Sequence, residues 1–475
     1  MHLYDSKTSK KLDKIILKSG QPAEQTIMKA AFEIWSLSTK LVNPRKVWCL
    51  SGPGNNGADA VGVAGLSLIA KKQVTLILMK PLTGASIAIF RFMKLLNLRY
   101  VSFLPKLNEI SKEDLIIDGL IGTGLSRSPD PWLEKAIEWT NQAKQRGATV
   151  ISIDTPSGLD ATSGAIFKNV VSADATVMCL SPKQGCYTGM APRYTGTLYH
   201  ADLGYQNLQK LLPGTSQLLT QRNLGKRKRT KISHKGNFGN LLILGGWDEM
   251  AGAGNLAAKA ALKAGAGKVF LCGSESKNRP HEVIGVKRDI NIFKSVLNQI
   301  DCILAGPGLG KNADKFLHEA WISNKPLVLD ADGLNWLSKA TVSTRKGLLI
   351  GTPHPGEAKT LIRQTIDNRF DAIHKLKKIY GGDWVLKGAG TLVSTSNKIY
   401  VNPFANSILA TAGSGDVLAG LVGGLLSQNI ETPALTGVWL QSEAARIYLE
   451  EGESTILAGD ILLNISKAFR KLENM

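Results

Sequence analysis

Residues 411–420, Thr411-Ala412-Gly413-Ser414-Gly415-Asp416-Val417-Leu418-Ala419-Gly420, place a glycine-rich turn and a carboxylate at the head of an apolar run. Glycines at the start of a helix leave backbone N–H groups free to cradle an anion, and the helix dipole favours negative charge there. A carboxylate on the first turn can then take the proton of a hydroxyl as it attacks a phosphoryl group. Asp416 is the candidate general base; the plain alternative is an acid that only complements the dipole of its own helix. Two other loops favour the chemical reading, each following a short apolar run. Lys387-Gly388-Ala389-Gly390-Thr391 offers a cation and backbone donors, and Thr352-Pro353-His354-Pro355-Gly356-Glu357 offers an imidazole. His234-Lys235-Gly236-Asn237-Phe238-Gly239 and Gly252-Ala253-Gly254 give a weaker phosphate signal, because small residues there also let a helix pack closely on a sheet.

Nearer the N-terminus an apolar run at 47–50 enters Gly52-Pro53-Gly54-Asn55-Asn56-Gly57-Ala58-Asp59, and a helical pattern follows. This is GxGxxG spacing in a strand–turn–helix setting, which suits a phosphate or, alternatively, a tight turn with no ligand. The usual dinucleotide fold places an acid about 20 residues further on to hold ribose hydroxyls. Here the next strand-like run ends in Met79-Lys80-Pro81, which argues against an ordinary nicotinamide-dependent dehydrogenase. Asp118 and Asp154 each end an apolar run, where a lone aspartate is often only a cap or turn former. Together, the loops carrying Asn56, Asp118 and Ser157 could supply a hard oxygen shell for a cation beside an anionic ligand.

Such loops need a scaffold, and the apolar pattern supplies one. Runs at 47–50, 61–70, 74–78, 87–96, 115–117, 133–143 and 149–153 alternate strand-like and helical character. After a basic junction the same grammar recurs, with short buried strands at 241–244, 269–271, 302–304, 327–329, 348–350 and 384–386. Alternation of this kind predicts crossover units and parallel sheets covered by helices on both faces. The fold class is therefore α/β in both halves, and ligands are expected where loops leave the carboxyl ends of the strands.

The 475 residues suffice for two or three domains, and 43% hydrophobic with 20% charged residues is a globular balance. The domain reading is residues 1–212, a junction at 213–235, and residues 236–475. The junction holds the densest basic cluster: Arg222, Lys226, Arg227, Lys228, Arg229, Lys231 and Lys235 without an acid. A net charge of +20 invites an anionic partner or simply a soluble basic surface. No aromatic residues interleave the basic cluster, so nucleic acid is not an expected partner. Five cysteines without a CxxC pair argue against a disulfide scaffold or a zinc site. No apolar run approaches the ~18 residues of a membrane span. The lysine-rich residues 1–20 lack the apolar core of a secretory signal. No membrane partner is expected, and the cytoplasm is the expected compartment.

The N-terminal strings GNNG, DGLIGTGL at 118–125 and DTPSGLDATSG at 154–164, with ADATV at 173–177 and Pro182-Lys183, resemble the NAD(P)HX epimerase domain. That domain interconverts the R and S forms of hydrated NADH and NADPH. The likeness runs over roughly residues 10–210 and implies a Rossmann-like doubly wound sheet. It implies potassium on Asn56, Asp118 and Ser157. It implies the hydrated nucleotide on Asn55, Asn56, Gly57, Ala58, Asp59, Gly122, Thr123, Gly124, Leu125, Ser126, Arg127, Ser128 and Asp154, with Asp154 as acid/base. The sequence departs from that pattern at Ala58 and Ala60, where the family has glycine, and at Lys29 and Ala31, where it has Glu and Gly. A methyl group there costs affinity if the backbone must pass close to a phosphate or adopt a positive φ.

The C-terminal GSGD motif resembles the ribokinase-like superfamily. The fuller set, HKGNFGN, AGPGLG at 305–310, LDADGLN at 329–335, TPHPGE and ATAGSGDVLAG, is similar to its ADP-dependent NAD(P)HX dehydratase branch. By that resemblance Ala253, Gly308, His354 and Asp416 contact the hydrated nucleotide, and Lys387, Gly388, Ala389, Gly390, Thr391 and Gly415 hold ADP or ATP. Mg2+ would be bound mainly by phosphate oxygens and water. Trp247 and Met250 stand where the family has Ser and Tyr, and are expected to retune substrate contacts. The resemblance implies a bifunctional repair enzyme for hydrated NAD(P)H, with a homo-oligomeric state left open. The alternative is a ribokinase-like kinase of a vitamin-like alcohol with a non-catalytic N-terminal module that binds a nucleotide or RNA.

Overall fold

The computed structural model describes residues 1–125, 128–226, 232–274, 279–342, 345–396 and 398–473. The chain divides into two compact units, Met1–Gln217 and Leu218–Met475.

The first unit contains β1 (His2–Leu3), α1 (Ser6–Lys18), α2 (Ala23–Leu41), β2 (Lys46–Ser51), α3 (Asn55–Ile69), β3 (Gln73–Leu78), α4 (Ala85–Leu95), β4 (Tyr100–Val101), β5 (Leu115–Gly119), α5 (Pro131–Gln145), β6 (Thr149–Ile153), β7 (Ala175–Cys179), β8 (Thr197–Ala201), α6 (Leu208–Leu211) and the start of β9 (Ser216–Leu218). Seven strands form a sheet in the order β4-β3-β2-β5-β6-β7-β8, and every pairing is parallel. Both faces are covered, as a parallel sheet requires. Side chains alternate between the faces, so Val47 and Cys49 pack with α1, α2 and α3 while Trp48 and Leu50 pack with α5. The order reverses at β2, flanked by β3 and β5, and the loops after β2 and β5 meet at this switch point. They approach so closely that a Cβ on Gly52 would sit 1.7 Å from the Leu120 carbonyl oxygen.

The second unit contains β10 (Asn240–Leu244), α7 (Ala251–Ala264), β11 (Lys268–Cys272), β12 (Val283–Val286), α8 (Ile290–Leu297), β13 (Cys302–Ala305), α9 (Asp314–Ile322), β14 (Leu327–Leu329), α10 (Ala331–Leu337), β15 (Leu349–Gly351), α11 (Pro355–Ile362), α12 (Arg369–Tyr380), β16 (Asp383–Leu386), β17 (Leu392–Thr395), β18 (Lys398–Val401), α13 (Ser414–Ser427), α14 (Pro433–Glu450) and α15 (Ala458–Glu473). Within it the strand order is β18-β17-β16-β15-β14-β13-β10-β11-β12. From β16 through β12 the pairings are parallel, and β16, β17 and β18 pair antiparallel. The alternation of apolar runs did not signal β17 and β18, because an antiparallel edge needs no intervening helix.

The core of this unit is built on α7, α13, α14 and α15. The glycines of α13 have a packing reason. A Cβ on Gly420 would lie 2.2 Å from the Ala257 carbonyl oxygen and one on Gly424 2.6 Å from that of Ala261, so α13 and α7 lie backbone against backbone.

The stretch read as a junction is partly core. Leu219 and Leu224 are buried in the second unit, and the Gly225 N–H donates to Thr432 Oγ1. Residues Arg227, Lys228, Arg229 and Lys231 of the basic cluster lie outside the described residues. Among the described residues no helix is long and apolar enough to cross a membrane, and all five cysteines are buried and free.

Candidate functional site

In the second unit, loops after three successive strands converge on the head of α13. β14 is followed by Asp330, almost wholly buried, whose Oδ1 accepts from Thr352 Oγ1 at 2.8 Å and Lys387 Nζ at 2.7 Å. Lys387 follows β16, and its ammonium also lies 3.9 Å from Glu357 Oε2. Burial alone would pull its proton affinity down, but Asp330 and Glu357 outweigh it and hold the ammonium charged. Burial pushes the Glu357 carboxyl up.

Gly415 packs on the same cluster: a Cβ there would sit 3.4 Å from Lys387 Nζ and 3.9 Å from Asp330 Oδ2. Gly413 caps α13 with φ 88°, a left-handed conformation that favours glycine. The Ser414 N–H turns back to the Thr411 carbonyl, whereas those of Gly415 and Asp416 have no acceptor among the described residues. Nor does the half-buried Asp416 carboxylate form a hydrogen bond or ion pair among them. Its pKa is pushed up to about 6, first by burial and then by the charge of Asp330, with Lys387 opposing. An unengaged carboxylate with this proton affinity, beside free amides and a lysine, can accept a proton from a hydroxyl near neutral pH.

Other residues named from sequence lie in loops held by local hydrogen bonds. His354 Nδ1 accepts from the N–H groups of Gly356 at 2.9 Å and Glu357 at 3.2 Å, and Glu357 Oε2 accepts from the His354 N–H at 2.7 Å. His354 is thus the N-cap of α11, and its Nε2 lies 3.5 Å from Glu357 Oε1 on a half-exposed ring. Gly388, at φ 126°, and Gly390, at φ 60°, shape the 387–391 loop, and Arg369 donates to the carbonyls of Leu386, Lys387 and Ala389. Thr391 Oγ1 donates to the Gly388 carbonyl.

Gly308 and Ala253 lie together, since a Cβ on Gly308 would meet that of Ala253 at 2.9 Å. The 306–310 loop is held by Asp332, which accepts from the N–H groups of Leu309 and Gly310. Trp247, expected to tune substrate contacts, is buried instead; its indole N–H donates to the Cys272 carbonyl and its ring stacks edge-on with Phe316. Met250 stays half-exposed beside Gly308.

The first unit holds a cleft of about 220 Å³ bordered by α1, α2, the head of α3 and the end of β6. Asp154 lies in it at φ 64°, in a conformation uncommon for a residue with a side chain. Its Oδ1 accepts from Lys183 Nζ at 2.6 Å and from the Cys179 N–H at 2.9 Å. Lys183 is nearly inaccessible; burial opposes its charge, and Asp154 and Asp13 more than restore it. Asn55, Ala58 and Asp59 border the same cleft. Ala58 and Ala60 are helical residues of α3 with ordinary φ, so their methyl groups strain nothing. Ala31 packs where a Cβ on Gly62 would reach it at 2.7 Å, and Lys29 lies 5.2 Å over the Tyr205 ring.

The loops expected to hold a cation do converge. Asp118 is fully buried and accepts from Ser152 Oγ, the Ser157 N–H, Ser157 Oγ and the Leu120 N–H. It has no cationic side chain paired to it among the described residues, and burial raises its pKa despite these donors. Asn56 Nδ2 donates to the Ile153 carbonyl at 2.7 Å, which leaves its amide oxygen against Gly122. The Asp118 carboxylate is thus held by four neutral donors with no cationic side chain beside it among the described residues. No group of three or more His, Cys, Asp or Glu is arranged for a metal among the described residues.

The other loop residues are mixed. Gly57 is a packing residue, its would-be Cβ 1.9 Å from the Gly52 carbonyl oxygen, and the Leu125 side chain is buried in the core, so only its backbone faces outward. Thr123, Gly124 and the exposed Ser128 stay on the surface loop after β5; Ser126 and Arg127 lie outside the described residues. Asp13, which borders the cleft from α1, had no motif to reveal it. Lys183 and Asp330 stood inside quoted strings without a role.

Comparison with known proteins covers both units. A family model described as NAD(P)H-hydrate dehydratase matches residues 241–467, and one described as the N-terminus of YjeF-related proteins matches residues 21–185. The chain is 33% identical to the bifunctional NAD(P)H-hydrate repair enzyme Nnr of Coxiella burnetii, over 97% of each chain. It is 31% identical to Nnr of Escherichia coli, over 96% of this chain and 89% of that one. A solved ribokinase-like superfamily protein from Enterococcus faecalis superposes with a TM-score of 0.50 at 23% identity, over 54% of this chain and 96% of that one, a likeness of fold.

Proposed function

Because the chain belongs to the family of bifunctional NAD(P)H-hydrate repair enzymes, we propose that its first unit interconverts the R and S epimers of hydrated NADH and NADPH and its second unit dehydrates the S epimer with an adenine nucleotide. The observation that carries the second step is the free Asp416 carboxylate, with a pKa near 6, beside unpaired amides and Lys387. Hydroxide is a poor leaving group from C6 of the nicotinamide ring, so the oxygen must first be activated. Asp416 takes the proton of the C6 hydroxyl as it attacks the terminal phosphoryl group. The free N–H groups of Gly415 and Asp416 and the Lys387 ammonium offset charge on the transferred oxygens. Phosphate then leaves C6 as the electron pair of the ring nitrogen moves in, and loss of a proton from C5 restores the C5–C6 double bond. Mg2+, held by nucleotide oxygens and water, supplies charge neutralisation when bound.

In the first unit Asp154 is the base for the ring hydroxyl, oriented by Lys183 and the Cys179 N–H. Asn56, Asp118 and Ser157 would hold K+, which supplies compensation for the Asp118 charge. The buried carboxylate supports this assignment. Substrates carrying several phosphates suit the net charge of +20, and the cytoplasm, where such cofactors are consumed, is the compartment this reading favours.

The deciding experiment incubates purified protein with hydrated NADH and ADP or ATP and follows the near-ultraviolet absorbance of reduced nicotinamide. Recovery of that absorbance is expected. A stable phosphorylated product of a vitamin-like alcohol, with no recovery of NADH, would establish the kinase alternative instead. Conversion of pure R epimer no faster than spontaneous epimerisation allows would reduce the first unit to a binding module.

A further inference from the structure

Three carboxylates border the first unit's cleft from three different elements: Asp13 on α1, Asp59 on α3 and Asp154 after β6. They differ in how they are held. Asp154 is fixed to Lys183 and the Cys179 N–H. Asp59 is more than nine-tenths buried and lines the cleft without a hydrogen bond or ion pair among the described residues. Asp13 is likewise unpaired but only half-buried, so its proton exchanges with solvent more readily than that of Asp59.

We propose, on the epimerase reading of this unit, that Asp13 is a second catalytic residue, the acid that works opposite the base Asp154. Hydrated nicotinamide carries its hydroxyl on the carbon bonded to the ring nitrogen, a hemiaminal, and inverting that carbon needs a proton removed from oxygen and another given to nitrogen. Asp154 takes the O–H proton; the C6–N1 bond breaks with its electron pair passing to N1, and N1 takes the proton of Asp13 as C6 becomes an aldehyde. Rotation about C5–C6 presents the other face. N1 then attacks C6, its proton returns to Asp13, and the new hydroxyl takes the proton of Asp154. Both carboxyls end as they began, and no other reactant is consumed.

The charges around Asp13 suit this role. Burial and the Asp154 charge raise its pKa to about 6, against Lys183 and Lys10 of its own helix, while Asp59 faces it as a further carboxyl. It therefore keeps a usable protonated fraction near neutrality. Asp59, held well above the ordinary carboxylate range by burial, Asp154 and Asp13, releases its proton too reluctantly to cycle.

The test compares wild type, Asp13→Asn and Asp13→Glu, with R-epimer and S-epimer repair measured on the same preparations and the spontaneous rate subtracted. Asp13→Asn is expected to lower kcat for the R epimer by about 10²–10⁴-fold with little change in KM. S-epimer dehydration, performed by the second unit, stays at the wild-type rate, while the unchanged KM for the R epimer and the rescue by Asp13→Glu report that the first unit is folded. The wild-type rate falls as pH rises above about 6; that limb is absent in Asp13→Asn and returns in Asp13→Glu. R-epimer turnover of Asp13→Asn within twofold of wild type, or an unchanged pH limb, overturns the role of Asp13. Wild-type protein that never exceeds the spontaneous rate overturns the epimerase reading itself, a separable result.

Discussion

Replacing Asp416 by Asn should have two opposite effects. Folding raises the proton affinity of this carboxyl from 3.8 to about 6. The sign follows from linkage: a group whose pKa rises on folding contributes stability fully present below about pH 3.8 and lost as pH rises through about 6. Keeping the carboxylate ionised at neutral pH would cost on the order of 2–3 kcal/mol from the shift alone. Partial access to solvent reduces that to ~1–2 kcal/mol. Asn removes the charge but not the shape, and at ~2–4 °C per kcal/mol Tm at about pH 7.5 should rise by ~2–8 °C, a gain that vanishes near pH 4. Turnover of the S epimer should fall by about 10²–10⁴-fold with near-normal nucleotide binding, and the wild-type rate should climb with pH to a plateau above about 6. The assays are thermal unfolding at the two pH values and a pH series of S-epimer dehydration. A variant that turns over within tenfold of wild type, or whose Tm drops at both pH values, would refute the picture of a free, costly carboxylate held ready as a base.

Lys183→Met should leave the Asp154 carboxylate without its partner at the wall of the cleft; losing one partner of a buried ion pair costs up to about 3–5 kcal/mol, and chemical denaturation should show a loss of stability together with loss of epimerisation. His354→Ala should cost about 0.5–2 kcal/mol through the lost cap of α11, whereas His354→Ser restores the cap, so a defect in the Michaelis constant that persists in the latter is expected if the imidazole contacts the substrate or positions Glu357, and its absence assigns His354 to the cap alone. Asn56→Ala should abolish potassium stimulation of the epimerase step while S-epimer dehydration stays unaffected; parallel loss of both activities would contradict separate sites.

The sequence by itself determined the α/β class, the central strands and the loops that carry chemistry, because buried parallel strands are short unbroken apolar runs and anion loops need glycine at fixed spacing. It also singled out Asp416, Asp154 and the Asn56, Asp118 and Ser157 set, each tied to a local motif. Only the tertiary structure decided which of these side chains are free. Asp416 is unengaged while His354 Nδ1 caps α11, and Trp247 and Leu125 turn into the core. It alone brought Asp13 from α1 to Asp154, and Lys387 to Asp330, across 141 and 57 positions of chain. Local patterns record the backbone conformation a residue needs with its immediate neighbours. They hold no record of which distant charge will share its cavity, and that shared burial is what sets a proton affinity.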